Sequence, residues 1–179
     1  ILRWKLGFCA SGRYANRIIV PSFDISGNLN YFVARTSNGH YIKYLNPRTS
    51  KDIIFNELMI DWTRPVTIVE GVFDAMRFEN SVPLLGSTLS VRSKLFNKIL
   101  ESRCPIYIGL DADARQKEEK IIKNMLLYGL EVYQMNRPTQ GDYADYSAES
   151  CLAYKEKASF VHSTDYLLYQ KIFSEEFLK

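Results

Sequence analysis

Acidic side chains follow two apolar runs of this sequence, each at the point where the run ends. Glu70 comes directly after the β-branched run 66–69, and Asp74 lies one helical turn further on. Asp111 and Asp113 follow a second apolar run and are separated by one residue. Short continuous apolar runs are typical of buried strands in parallel sheets. The sequence therefore predicts two strands that deliver carboxylates at their carboxyl ends.

The predicted position of these four acids indicates what they could bind. The carboxyl ends of parallel strands meet at one edge of the sheet, where open α/β sheets bind their ligands. In an extended chain, Asp111 and Asp113 also point to the same side. Like charges so placed repel one another unless a cation joins them, and Mg²⁺ prefers oxygen ligands. We therefore expect the four acids to form a site for divalent cations.

A third acidic segment, 141–145, follows the next predicted strand. It contains Asp142 and Asp145, and we expect Asp142 to join the metal site. The pattern leaves open which of the two aspartates is the site residue. Either one could instead cap a helix that begins near Tyr146, because aspartate is a preferred residue at that position.

Other roles are open for the same acids. Glu70 could be a charge that complements the dipole of the following helix, and Asp74 could be a surface residue of that helix. Asp111 and Asp113 could belong to a phosphoacceptor site of the response-regulator kind, which also places acids at strand ends. The basic N-terminal third of the chain argues against this last interpretation.

The order of the predicted elements supports an α/β fold. From residue 66 onward strands and helices alternate, which is typical of a parallel sheet flanked by helices. The predicted strands are 66–69, 82–84, 105–110 and 130–135, and the predicted helices are about 72–80, 90–102 and 114–128. Before them, predicted strands at 17–23, 29–36 and 40–44 form a small antiparallel sheet. Two more helices are predicted near 146–157 and 164–173.

Composition excludes several classes of protein. Hydrophobic residues make up 46% and charged residues 24% of the 179 residues, which is typical of a globular protein. No apolar run is long enough to cross a bilayer, and the chain does not begin like a signal peptide. We therefore expect a cytoplasmic protein without a membrane partner. The chain begins at Ile1 rather than at methionine, which is typical of a piece of a longer protein.

Five blocks of the sequence resemble a known family in their residues, their order along the chain and their spacing. Glu70-Gly71 with Asp74, followed by Asp111-Ala112-Asp113, is similar to the Toprim signature of primases, topoisomerases and some nucleases. The other three blocks resemble bacterial-type DNA primases, and the linker 54–57 is most similar to phage-encoded ones. These blocks are Arg17-Ile18-Ile19-Val20-Pro21, Lys43-Tyr44-Leu45-Asn46-Pro47 and Pro83-Leu84-Leu85-Gly86-Ser87-Thr88-Leu89. Together the blocks cover roughly residues 7–146.

The resemblance implies a function. It implies the catalytic core of a DNA primase, a nucleotidyltransferase that makes short RNA primers from ribonucleoside triphosphates on single-stranded DNA during replication. Glu70, Asp74, Asp111 and Asp113 would be catalytic, and with Asp142 they would bind two or more Mg²⁺ or Mn²⁺ ions. A replicative helicase would be a partner. If the chain is phage-encoded, the location would be the cytoplasm of the bacterial host.

The resemblance also assigns the basic residues and exposes a difference from the family. Four residues match positions that contact the template strand or nucleotide phosphates, namely Arg17, Arg35, Lys43 and Asn46. Related primases usually carry a zinc-binding module before the catalytic core. Three widely spaced cysteines here lack zinc-ligand spacing, so we expect a core without that module.

The sequence leaves alternatives of function and a provisional division into domains. A Toprim nuclease or topoisomerase could use the same acids, and a catalytically silent module that binds single-stranded DNA could keep the same fold. We expect three parts: a basic subdomain at 1–64, a Toprim subdomain at 65–146 and a helical segment at 147–179. The fold class expected overall is α/β, or α+β when the antiparallel N-terminal sheet is included.

Overall fold

The computed structural model describes residues 3–39, 41–86, 89–138 and 140–164. The chain divides into two compact units, Ile1–Ile60 and Asp61–Lys179. The expected three-part division at residues 64 and 146 stays a prediction. Almost all of the predicted helix at 164–173, together with Ser87 and Thr88, lies outside the described residues. A helix with the length and apolar character of a membrane span is not found in the described residues.

The first unit contains an antiparallel sheet whose strands follow one another in order, as hairpin-connected strands do. Asp24 shapes the turn between the second and third strands, because its Oδ1 accepts hydrogen bonds from the backbone N–H groups of Ser26 and Asn28 at 3.0 and 2.9 Å. The three strands are β1 (Gly7–Cys9), β2 (Arg17–Phe23) and β3 (Leu29–Thr36). The bounds of β2 and β3 are those predicted from the sequence.

The predicted strand at 40–44 is wrong for the residues described there. Only a single bridge, between Arg35 and Tyr44, is formed. The two bonds of this bridge run from the backbone N–H of Thr36 to the carbonyl of Lys43 and from that of Leu45 to the carbonyl of Ala34, both at 2.9 Å. The carbonyl of Ile42 instead accepts a hydrogen bond from the guanidinium of Arg17 at 3.0 Å, so the ladder does not continue there.

The second unit contains a five-stranded sheet. Four strands are parallel and buried, and the fifth, β8, pairs antiparallel with β7 at the edge. The sheet order is β5-β4-β6-β7-β8, with β4 (Val66–Val69), β5 (Ser81–Pro83), β6 (Ile106–Gly109), β7 (Val132–Gln134) and β8 (Ser159–Phe160). The α/β fold class is confirmed. The strand β8 was not predicted and lies between the two helices predicted near 146–157 and 164–173.

Helices follow the strands as the alternation predicted, with one large difference in length. The helices are α1 (Val72–Ala75), α2 (Lys94–Ser102), α3 (Arg115–Leu127) and α4 (Ala148–Glu156). Helix α1 was predicted to reach residue 80 but ends at Ala75. The carbonyl of Ala75 instead accepts the hydroxyl of Ser81 at 2.6 Å, so the chain turns early into β5. Gly129, in the left-handed conformation with φ of 66°, ends α3 as predicted.

The register of the sheet places the predicted site. Val69 of β4 pairs with Gly109 of β6, so Glu70 and Leu110 leave the sheet side by side. The chain moves from β4 to β5 on one side and then to β6 on the other side. The strand order therefore reverses between β4 and β6, which is the topological switch point where open α/β sheets bind ligands.

Candidate active site

Glu70 lies at the end of β4 with its two carboxylate oxygens in different environments. Oε1 is 2.9 Å from the ammonium of Lys117 on α3, and the ion pair is largely buried. Oε2 is buried and has no hydrogen-bond partner among the described residues. A buried carboxylate oxygen without a partner is costly, and at an active site it indicates a position for an ion or a ligand.

Gly71 is required at its position by the approach of Asp74. Its backbone N–H donates to Oδ2 of Asp74 at 3.1 Å. A Cβ atom at residue 71 would lie 2.8 Å from the same oxygen, which is too close for a side chain. The pairing of glutamate with glycine in the sequence therefore has a physical cause, because the turn after β4 brings the backbone against a carboxylate.

Asp74 is a buried residue that holds two segments together. Its side chain is only 5% exposed, so the alternative of a surface helix residue is wrong. Oδ1 accepts from the backbone N–H of Ala144 at 3.0 Å, while Oδ2 accepts from Gly71. Burial and, second, the charge of Asp142 raise the pKa of Asp74 above its ordinary value. Both oxygens are thus engaged by backbone N–H groups.

Asp111 follows β6, and its carboxylate is close enough to four other carboxylates for their charges to affect its pKa. Burial raises its pKa to about 6, and the charges of four neighbouring carboxylates add to this effect. These neighbours are Asp74, Glu70, Asp142 and Asp113. The fold therefore brings together acids from three separate segments of the chain. Asp113, two residues after Asp111, is exposed to solvent.

The third acidic segment distinguishes its two aspartates. Oδ1 of Asp142 is buried without a hydrogen-bond partner, and Asp142 raises the pKa of both Asp74 and Asp111. The carboxylate of Asp145 accepts from the backbone N–H of Asp142 at 3.3 Å. Ser147, and neither aspartate, caps α4, but Asp142 is the N-cap residue of the short 3₁₀ turn Tyr143–Asp145 that precedes it. The geometry favours Asp142 as the site residue of this segment.

Tyr143 fixes this segment against the sheet. Its side chain is 1% exposed, and its hydroxyl donates to the carbonyl of Asn136 at 2.9 Å. The ring fills the space above Gly109, where an added Cβ would clash with the tyrosine hydroxyl and would lie 2.6 Å from the side chain of Met135. The segment that carries Asp142 is therefore packed directly on the end of β6.

Glu118 supports the site from α3 and was not identified from the sequence. It is fully buried, and its Oε1 accepts from the backbone N–H of Leu110 at 3.1 Å. Its Oε2 accepts from Gln134 at 3.1 Å and pairs with the guanidinium of Arg137. Burial raises the pKa of Glu118, whereas the hydrogen bond from Leu110 and the charge of Arg137 lower it. The network ties the residue before Asp111 to both α3 and the end of β7.

One feature of the sequence does indicate that Glu118 is buried, namely its place on the apolar face of α3. The buried positions of α3 recur at helical spacing and are otherwise apolar, namely Glu118, Ile121, Ile122 and Met125. A charged residue on the apolar stripe of a helix is rare unless it is paired. The residues around Lys117 gave no comparable signal, because its partner Glu70 lies 47 residues away.

The acids fit a divalent cation in their chemistry. Glu70 Oε2 and Asp142 Oδ1 are buried oxygens without hydrogen-bond partners among the described residues, and four carboxylates add to the effect of burial on the pKa of Asp111. Oxygen donors of this kind suit Mg²⁺ or Mn²⁺. Within the described ranges, no three acidic, histidine or cysteine side chains already converge closely enough to hold one ion. The oxygens would have to draw together around it.

In the first unit, the structure separates the predicted nucleic-acid contacts into two kinds. Arg17 is 5% exposed, and its guanidinium donates to the carbonyls of Ala34, Ile42 and Lys43. Asn46 accepts from the backbone N–H of Ala34 at 3.1 Å. Both side chains therefore hold the backbone after β3. The phosphate contacts predicted for Arg17 and Asn46 stay predictions.

Arg35 and Lys43 lie around an exposed aromatic ring. The Arg35 guanidinium carbon is 5.9 Å and the Lys43 ammonium 5.7 Å from the ring centroid of Tyr44, which is 42% exposed. Two cations beside an exposed tyrosine can bind a phosphate and stack on a base. These two residues keep the role in nucleic-acid binding as a prediction.

The chain is similar to bacterial DNA primases in sequence. It is 25% identical over 173 residues to the DNA primase of Staphylococcus aureus strain COL and to that of strain MRSA252. Each alignment covers 84% of this chain and 28% of the relative, so the chain spans little more than a quarter of the length of these curated relatives. No protein-family model matches the chain.

Solved structures of primase catalytic domains have the same fold. The DnaG primase catalytic domain bound to single-stranded DNA matches with a TM-score of 0.69 at 19% identity, over 94% of this chain and 60% of that one. The Escherichia coli primase catalytic core matches with a TM-score of 0.67 at 19% identity, over 94% of this chain and 62% of that one. The Aquifex aeolicus primase, with zinc-binding and RNA polymerase domains, matches with a TM-score of 0.64 at 21% identity, over 89% of this chain and 46% of that one.

These similarities agree with the arrangement of the acids at the switch point of the sheet. The resemblance found in the sequence is confirmed, and this chain has the fold of the catalytic core, the RNA polymerase domain, of bacterial DNA primases.

Proposed function

We propose that this chain is the Toprim-containing catalytic core of a DNA primase, most similar to phage-encoded ones. Its reaction is the synthesis of short RNA primers from ribonucleoside triphosphates on single-stranded DNA during replication. The observation that carries the proposal is the convergence of acids from three segments at the carboxyl ends of β4 and β6, where Glu70 and Asp142 each have a buried carboxylate oxygen without a hydrogen-bond partner among the described residues. Carboxylates crowded at one edge repel one another, and divalent cations bound between them would remove this repulsion.

The acids divide the work according to their contacts. Glu70, Asp111, Asp113 and Asp142 have carboxylate oxygens available to hold two or more Mg²⁺ or Mn²⁺ ions, and Glu70 is next to the reacting groups. Asp74 holds the segments in place through its two backbone hydrogen bonds. When bound, the ions lower the pKa of the attacking 3′-hydroxyl and stabilise charge on the attacking and leaving oxygens of the α-phosphate.

The first unit contributes template binding. Arg35 and Lys43 contact phosphates of the single strand, and Tyr44 stacks on a base between them. Arg17 and Asn46 act behind this surface by fixing the backbone that carries Lys43 and Tyr44. A replicative helicase is the partner that this function requires, and the bacterial cytoplasm, or that of the host for a phage protein, is its location.

A primer-synthesis assay tests the proposal. The protein is incubated with Mg²⁺ or Mn²⁺, the four ribonucleotides and either bare single-stranded DNA or a template with an annealed RNA oligonucleotide. Products are resolved on a denaturing gel. We expect RNA synthesis that is lost in Glu70→Gln and kept in Glu101→Gln, whose exposed carboxylate lies near Lys98 on α2.

The two templates make a negative result informative. Synthesis only on the annealed template would show a polymerase that extends and does not initiate. Shortened template in place of RNA would favour the nuclease alternative, which uses the same acids. DNA binding without synthesis on either template would favour the silent module and contradict the proposal.

A further inference from the structure

The ion pair of Lys117 with Glu70 is more buried than the exposed ion pairs of α2 and α3. Its ammonium lies 2.9 Å from Oε1 of Glu70, and the two side chains are only 18% and 23% exposed. The pair between Arg115 and Glu119, two residues away on the same helix, has side chains that are 70% and 36% exposed. Charges that are removed from water interact more strongly, so the pair with Glu70 should contribute more free energy than the exposed pair between Arg115 and Glu119.

The location of Lys117 on the helix needs an explanation. It is the third residue of α3, and the positive end of the helix dipole disfavours a cation in the first turn. The preceding residues supply the compensation, because Asp111 and Asp113 lie just before the helix and Glu70 lies across from it. Lys117 therefore places a positive charge at the acidic edge from the element that begins there.

We propose that Lys117 is a tethered counter-ion of the acidic edge, which neutralises Glu70 while no divalent cation is bound and competes with the cation for that carboxylate. The inference rests on the proposed function, since it takes the acids to be a metal site. A cation bound to Oε2 would be repelled by the ammonium of Lys117 on Oε1, and a cation bound to Oε1 would have to displace that ammonium. The affinity of the site for metal is then lower than the acids alone would give.

A second role for Lys117 predicts the opposite result. If the lysine only holds Glu70 in a useful orientation, its removal weakens metal binding, because Glu70 is then less well placed. If the lysine competes, its removal strengthens binding. The sign of the change in affinity therefore separates the two roles, and it is measured by binding and not by activity.

The experiment is a Mn²⁺ titration of the whole chain, followed by electron paramagnetic resonance of the free ion at fixed pH and ionic strength. Wild type is compared with Lys117→Met and Lys117→Arg, and with Arg115→Met as the matched loss of a positive charge on the same helix. We expect Lys117→Met to bind Mn²⁺ on the order of tenfold more tightly, as the loss of a close like charge predicts. Lys117→Arg and Arg115→Met should keep the wild-type affinity.

Several results would overturn the inference. Equal or weaker binding by Lys117→Met would do so, and so would equal tightening in Lys117→Met and Arg115→Met. Lys117→Gln, which can still donate to Glu70 without a charge, replaces the methionine variant if the latter does not fold. Wild-type protein that binds no Mn²⁺ would overturn the proposed metal site as well. Unchanged affinity in the variant, with primer synthesis intact, would overturn only the role of Lys117.

Discussion

The carboxylate of Asp74 accepts a hydrogen bond at 3.0 Å from the backbone N–H of Ala144, a residue 70 positions further along the chain. The guanidinium of Arg77 donates to the carbonyl of the same alanine at 3.2 Å. Both polar groups of one peptide residue are therefore bound by side chains that follow β4. The segment with Asp142 is held to the segment with Glu70 by this relationship, and disturbing it should separate the acids.

Asp74→Ala should destabilise the protein. The backbone N–H groups of Gly71 and Ala144 lose their acceptor, which costs about 1–3 kcal/mol of unfolding free energy. The exposed Asp113 has no such contact, so Asp113→Ala should change the unfolding free energy by less than about 0.5 kcal/mol. Urea denaturation of both variants measures the difference. Equal effects of the two substitutions would show that Asp74 does not hold the segments.

Glu118→Ala should lower the free energy of unfolding more than Glu119→Ala at the neighbouring, partly exposed position. It leaves the buried N–H of Leu110 and the guanidinium of Arg137 without their carboxylate, at a cost of about 2–4 kcal/mol. Glu119→Ala, on the same helix, should cost less than about 0.5 kcal/mol. Denaturant unfolding compares the two. Adding Arg137→Met to Glu118→Ala should recover part of the loss, and an additive double variant would contradict the pairing.

The raised pKa of Asp111 predicts how stability depends on pH without metal. Folding raises the pKa from 3.8 to about 6, so folded protein keeps a proton that the unfolded chain releases between these values. Raising the pH through this range therefore lowers stability, and the full penalty is present above pH 6. Asp111→Asn removes the penalty. In EDTA it should exceed wild type in stability by on the order of 1 kcal/mol at pH 7.5, with allowance for partial exposure.

Melting curves at pH 7.5 and pH 4 check this prediction. The advantage of Asp111→Asn should shrink at pH 4, where the aspartate is largely protonated in the folded protein. Addition of Mn²⁺ at pH 7.5 should stabilise wild type more than the variant. An advantage of equal size at both pH values would show that the ionised form of Asp111 is not the cause of the difference in stability.

Arg17→Lys should lower the stability of the fold, and its direct effect on DNA binding should be small. A lysine ammonium cannot reach the three backbone carbonyls that the guanidinium holds, and the loss should be about 1–3 kcal/mol. Lys43→Ala, at an exposed position, should instead leave stability unchanged and weaken binding of single-stranded DNA with a smaller salt dependence. Denaturation and DNA titration at several salt concentrations separate the two. A stable Arg17→Lys with a reduced salt dependence would restore the predicted phosphate contact.

The parts of the fold that the sequence predicted are those set by local patterns. The apolar runs gave β4 and β6, and the turn at Asp24 gave the bounds of β2 and β3. The strands β1 and β8 were missed because each has at most three residues and is defined by its partner strand. The predicted strand at 40–44 was wrong because the pairing with β3 stops at one bridge, and the carbonyl of Ile42 binds Arg17, 25 residues away, in place of a strand partner.

The site divides in the same way. The acids could be located from the sequence because each follows a strand or its connecting turn, and parallel strands share an edge. Their supports could not be located, because the contacts of Lys117 with Glu70 and of Arg137 with Glu118 span 47 and 19 residues. Nothing in the sequence near either residue records its partner. The buried position of Glu118 on an apolar stripe is the exception.

The ring of Tyr143 occupies the space that Gly109 leaves open above β6. The side chain of Met135 also borders this space, so a larger residue at 109 would need room from both 135 and 143. Redesign of the third acidic segment must therefore treat the three positions as one packing unit. Among natural variants of this chain, a larger residue at 109 should occur only together with a smaller one at 143.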